Sequence, residues 1–122
     1  MIILSIDSST PVAGVAISQE GKLLGEFMLQ TKNTHSETMI PMIQQLLDEM
    51  QLSIDAVDAV AVTQGPGSFT GLRIGMATAK GLVQGGGKKL ITVPTLDCLA
   101  YNLVHYPGIL CPIMNAQKKQ VY

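Results

Sequence analysis

The run Ile2-Ile3-Leu4-Ser5-Ile6-Asp7, then Ser8-Ser9-Thr10-Pro11, then Val12-Ala13-Gly14-Val15-Ala16-Ile17-Ser18 decides the fold. Residues 2–6 are apolar on both faces, the pattern of a strand inside a sheet. Residues 8–11 carry turn chemistry, and residues 12–18 read as a second strand. Gln19-Glu20-Gly21-Lys22 forms the next turn and residues 23–29 a third strand. Turns this short make the three strands antiparallel neighbours.

Working outward, the pattern turns helical. Thr34-His35-Ser36-Glu37 fits a capping box. Met39, Ile40, Ile43, Leu46, Leu47 and Met50 follow at helical spacing, and Pro41 inside that helix is expected to kink it or shift its start. Residues 58–63 read as a buried strand, 64–70 as a Gly-rich turn and 71–84 as a second helix ended by Gly85-Gly86-Gly87. A strand over 90–93, a helix over 96–104, a strand over 109–115 and a polar turn over 117–120 complete the reading. The order β-β-β-α-β-α-β-α gives an α/β protein, a mixed sheet with packed helices.

Composition narrows the function. The formal net charge is −1, and no basic run exceeds the pairs Lys88-Lys89 and Lys118-Lys119, which leaves out the electrostatic footprint of a strong nucleic-acid binder. Cys98 and Cys111 stand far apart in no metal spacing and read as reduced, buried thiols of a cytoplasmic protein. Asp7 cuts the first apolar run short, so the opening is a strand and not a signal peptide. No stretch approaches the roughly 18 apolar residues of a membrane span.

Two segments could carry chemistry. Asp7-Ser8-Ser9-Thr10 places a carboxylate and hydroxyls on a turn after a strand, a pattern that can hold hydrated magnesium and a phosphate, or can simply satisfy turn amides. Gly65-Pro66-Gly67-Ser68-Phe69-Thr70-Gly71-Leu72-Arg73 looks like a phosphate loop but lacks the Gly-Lys-Ser/Thr ending, the third glycine of a dinucleotide fingerprint and the spacing of a nucleophile elbow. Gly71, Gly75 and Ala79 instead recur on one helical stripe, which Gly67 continues into the turn. Each glycine in a helix costs about 1 kcal/mol relative to alanine, so packing must need the space. The stripe serves either close packing on the domain's own sheet or first helix, or an interface with another subunit. A leucine at Gly71 or Gly75 is expected to block that interface. His35 reads as a cap and His105 as an exposed helix-end residue, and no nucleophile–base pair is visible.

Three segments together resemble one family. Ile3-Leu4-Ser5-Ile6-Asp7-Ser8-Ser9-Thr10, His35-Ser36-Glu37-Thr38-Met39-Ile40-Pro41-Met42-Ile43 and Gln64 to Gly75 are similar, in order, to the TsaB (YeaZ) family, paralogues of the catalytic subunit TsaD in the glycoprotease-like family. Val93-Pro94-Thr95-Leu96 and Val121-Tyr122 also fit. The resemblance implies a ribonuclease-H-like lobe of the actin-like ATPase (ASKHA) fold, over residues 1–108, with 109–122 beginning a truncated second lobe. It further implies a non-catalytic scaffold required with TsaD for threonylcarbamoyl transfer to N6 of adenosine 37 in tRNAs reading ANN codons. TsaD holds a metal with His-x-x-x-His where this chain has Thr95 and Leu99. Leucine cannot ligate a metal and threonine is a poor transition-metal ligand, so neither a metal site nor catalytic residues are expected.

The resemblance implies a homodimer when alone, a TsaD-like partner, a TsaE-like ATPase in the same complex, and contact with tRNA only through partners. The interface falls on Gly67, Phe69, Gly71, Arg73, Gly75 and Ala79 of the second helix and its turn, and on His35, Met39 and Ile43 of the first. No cofactor is expected beyond weak ATP or ADP with magnesium at Asp7, Ser8 and Ser9, a vestigial phosphate loop, and Asn115 replaces an aspartate frequent in the family. The alternative reading is a nucleotide-binding or hydrolysing enzyme of the actin-like superfamily.

Overall fold

A computed structural model describes residues 1–30 and 35–122, without the side chain of His35. The proposed capping box at Thr34 and the side chain of His35 therefore lie outside the described residues. Strands β1 (Ile2–Asp7), β2 (Val12–Gln19) and β3 (Lys22–Gln30) form the expected antiparallel meander. Helix α1 (His35–Glu49) and a short 3-10 turn (Ile54–Ala56) lead to β4 (Ala59–Gly65). Helix α2 (Phe69–Gly86), β5 (Lys89–Pro94) and α3 (Thr95–Tyr101) follow. The sheet order is β3-β2-β1-β4-β5, with β1–β4 and β4–β5 parallel.

The alternation of the strands sets the layers. Leu4 and Ile6 of β1, Ala13, Val15 and Ile17 of β2, and Val60 and Val62 of β4 are buried on one face. Helices α1 and α2 cover that face with Met39, Met42, Ile43, Leu46, Leu47 and Ala79. Met42 belongs to this stripe, whereas Ile40, expected in it, is 52% exposed. Helix α3 packs on β4 and β5. Met28 on β3 stays 71% exposed. No helix among the described residues is long and apolar enough to cross a membrane.

Several expected boundaries move, each for a local reason. Pro41 does not shift the start of α1, which begins six residues earlier; the ring removes only the amide that would have bonded the Glu37 carbonyl. Helix α2 starts two residues before the expected position because Ser68 caps it, its hydroxyl accepting from the Gly71 amide at 3.2 Å. It runs on to Gly86 and ends at Gly87, which takes the left-handed conformation at φ 60°. Helix α3 stops at Tyr101, not Val104, where the Asn102 side chain donates to the carbonyls of Cys98 and Leu99. The expected strand over 109–115 does not form. No strand among the described residues lies beside it, Ile109 is 97% exposed, and only an isolated bridge joins Asn115 to Val121. The polar turn over 117–120 is present, with Gln117, Lys118 and Lys119 all at positive φ.

Leu4 is fully buried at the centre of the sheet. Leu4→Ala is expected to lower the unfolding free energy by about 2–5 kcal/mol in urea titrations, with an unchanged m-value.

Candidate functional site

The parallel pair β1–β4 delivers two loops to one end of the sheet, residues 8–11 after β1 and residues 66–68 after β4. Asp7 ends β1 beside Thr63. One carboxylate oxygen, Oδ1, accepts from the Ser9 amide and from the Thr63 hydroxyl, each at 2.9 Å. The first bond makes the turn, as aspartate side chains do. Ser8 is fully buried, and its hydroxyl donates to the Gly71 carbonyl at 2.8 Å. The Ser9 carbonyl accepts from the Ser68 amide at 2.7 Å. Ser9 is 2% exposed and its buried hydroxyl has no partner. The Gly65–Pro66 bond is cis.

Glycine is required where these loops touch α2. A Cβ on Gly67 would stand 2.5 Å from the Ser9 carbonyl oxygen and 2.8 Å from the Ser9 Cβ. A Cβ on Gly75 would overlap the Ser8 hydroxyl. The small-residue stripe is therefore filled by its own chain: Gly71, Gly75 and Ala79 are buried. Met39 and Ile43 are likewise core residues, 0% and 3% exposed. These five cannot meet another subunit, and Gly67 is pressed against Ser9. A leucine at Gly75 would strike this chain before it could block a partner. Of the expected interface, Phe69 and Arg73 do face outward. Phe69 is 69% exposed, and the Arg73 guanidinium lies 4.0 Å from its ring centroid.

Thr63 and the Ser8–Gly75 contact were not visible as site features in the sequence. The register of β1 on β4, which sets Ile6 opposite Val62, is what brings Thr63 beside Asp7.

The comparisons with known proteins follow this geometry. The TsaD family, tRNA N6-adenosine threonylcarbamoyltransferase, matches residues 23–122. The tRNA threonylcarbamoyladenosine biosynthesis protein TsaB of Bacillus subtilis is 34% identical over the whole chain, which covers 53% of it. The Escherichia coli protein of the same name is 38% identical over 82% of the chain and 43% of its own length. A crystal structure of a Pseudomonas aeruginosa protein similar to YeaZ superposes with a TM-score of 0.90 at 32% identity, covering 99% of this chain and 56% of that one. The chain belongs to the TsaD family, on its TsaB (YeaZ) branch.

The chain spans about half the length of the curated TsaB relatives it matches, 53% of the first. A Bacteroides thetaiotaomicron protein with an actin-like ATPase fold superposes at a TM-score of 0.53 and 12% identity, over 82% of this chain and 36% of that one, a likeness of fold alone. It agrees with the ribonuclease-H-like order of the sheet. Where TsaD-type chains are expected to carry paired histidines, Thr95 opens α3 and Leu99 stands one turn on; the Thr95 hydroxyl is buried without a partner and Leu99 is 42% exposed. Neither side chain is a transition-metal ligand of use. In the β1–β2 turn Asp7 receives two hydrogen bonds on one oxygen, and the Ser8 and Ser9 side chains are buried, while Ser9 and Thr10 border a cleft of about 690 Å³ with Gly67 and Ser68.

The other end of Asp7 faces a cleft of about 270 Å³ on the sheet's second face, bordered by Gly14, Ala16, Met28, Ala61 and Cys98. Both cysteines are free; Cys98 is half-buried, and Cys111, expected to be buried, is exposed. Burial pushes the Cys98 thiol up, and the negative charges of Asp7 and then Asp97 add to the shift. Cys98 is thus expected to alkylate with iodoacetamide more slowly than Cys111 at pH 8. Asp97→Asn should speed it by bringing the thiolate within easier reach, as peptide mass mapping over time would record.

Proposed function

We propose that this chain is the N-terminal lobe of a non-catalytic accessory subunit that works with a TsaD-type transferase in making threonylcarbamoyladenosine at position 37 of tRNAs reading ANN codons. The observation that carries the reading is the pair Thr95 and Leu99. They stand where the transferase branch is expected to hold its metal, on a chain otherwise similar to TsaB proteins along its whole length. The fold is kept and the ligands are replaced, which favours a scaffold over a transferase.

The docking face in this reading is the outer surface of α1 and α2, reduced from the nine expected positions to what is exposed there. Phe69 and Arg73 form its anchor, an aromatic and an arginine of the types that dominate interface energetics. Ile40 and Pro41 of α1 are exposed apolar residues of the same two-helix layer. The same face serves a homodimer when the protein is alone and a heterodimer with the TsaD-type subunit, with a TsaE-type ATPase joining the assembly. The modest net charge of −1 supports contact with tRNA through partners. Residues 109–122 begin the second lobe, and the protein acts in the cytoplasm.

Size-exclusion chromatography with light scattering, on this protein alone and mixed with the TsaD-type subunit of the same organism, tests the reading. A heterodimer formed at the expense of the homodimer is expected. Phe69→Ala and Arg73→Glu should each weaken that association tenfold or more, about 1.4 kcal/mol or above. Their unfolding midpoints should move little, because an exposed cation–π pair contributes only about 0.5–1 kcal/mol. Association with undiminished affinity in both variants would place the partner elsewhere.

A further inference from the structure

A phosphate seat on a β-turn needs amides and hydroxyls aimed outward, room for the anion and a carboxylate free for the metal. In the β1–β2 turn the Ser9 amide and the hydroxyls of Ser8 and Ser9 are turned inward, although Ser9 and Thr10 border a cleft of about 690 Å³. The Ser9 amide is bound to Asp7. The Ser8 hydroxyl is bound to the Gly71 carbonyl inside the first turn of α2. The Ser9 carbonyl holds the Ser68 amide just before α2, and Gly67 lies against that same carbonyl. Ser8 and Ser9 are 0% and 2% exposed, so neither hydroxyl is presented to solvent.

We infer that the Asp7–Thr10 turn is a latch that positions the first two turns of α2, and not a seat for magnesium and nucleotide phosphate. The latch has a hydrogen-bonded half and a steric half. Ser8 ties to Gly71, while Gly75, one turn further along α2, leaves the space that the Ser8 hydroxyl fills. The same turns carry Phe69 and Arg73, so Ser8 and Gly75 are positioning residues for that exposed pair. The latch stands on these contacts alone, and a failure of the proposed docking would leave it untouched.

The test is a set of melting curves. Gly75→Ala should lower the unfolding midpoint sharply, because its methyl group meets a buried hydroxyl. Ser8→Ala should lower it modestly. The double variant should melt above Gly75→Ala, because an alanine at 8 leaves the nearest Cβ at 3.4 Å, an ordinary contact. Ser9→Ala should keep or raise the midpoint, since it removes a buried hydroxyl without a partner. Millimolar ATP or ADP with magnesium should leave the wild-type midpoint in place. Additive losses in the double variant would overturn the steric half. A nucleotide-induced rise that Ser8→Ala or Ser9→Ala abolishes would overturn the inference as a whole. Should Gly75→Ala fail to fold, recovery of folding in the double variant gives the same reading, and the nucleotide titration of the wild type decides independently.

Discussion

The closeness of α2 to the end of β1 is the constraint on which the rest of this lobe depends. Two missing side chains set that distance, at Gly67 and Gly75, and one hydroxyl, that of Ser8, occupies the gap. Because interiors pack to near-crystal density, a helix seated this deeply fixes its neighbours as well. Ala79, one turn beyond Gly75, is fully buried in the core. The aspartate at the end of β1 joins the same arrangement from the other side, bonded to Thr63 across the parallel pair.

The arrangement has an energetic logic. Each helical glycine costs about 1 kcal/mol against alanine. That penalty is offset where the helix gains contact over the buried valines and leucines beneath it. The hydroxyl of Ser9 is, with that of Thr95, an exception among the described residues: buried polar groups nearly always find a partner, and this one does not. A serine there is better explained by the turn's backbone, whose amide and carbonyl are both used, than by its side chain.

Much of the fold was legible in the sequence, because the meander declares itself through alternation and short turns, and both crossovers through helical spacing. What was misread depended on contacts that spacing cannot supply. Ile40 and Met42 are both apolar and only two positions apart; which one faces the sheet is settled by how α1 lies on β2 and β3. The segment 109–115 has strand composition, but a strand exists only with a ladder partner. At the site, the glycine stripe was visible and its two uses were not separable until Ser8 was seen against Gly75. Phe69 and Arg73 kept their expected exposure because they point away from that stripe.

The order β3-β2-β1-β4-β5 leaves β3 at one border of the sheet, with an outer row of backbone groups that no other described strand covers. Leu23, Leu24, Met28 and Leu29 are exposed along it, a composition that invites edge-to-edge addition of further chains. Lys22 and Glu26 interrupt that apolar row, and the irregular register at Ile17/Ser18 disturbs the ladder just inside it. These are the features by which natural sheets discourage fibre growth. The border strand thus bears on colloidal behaviour: Lys22, Glu26 and one irregularity in strand pairing are what stand along this edge against association of further chains.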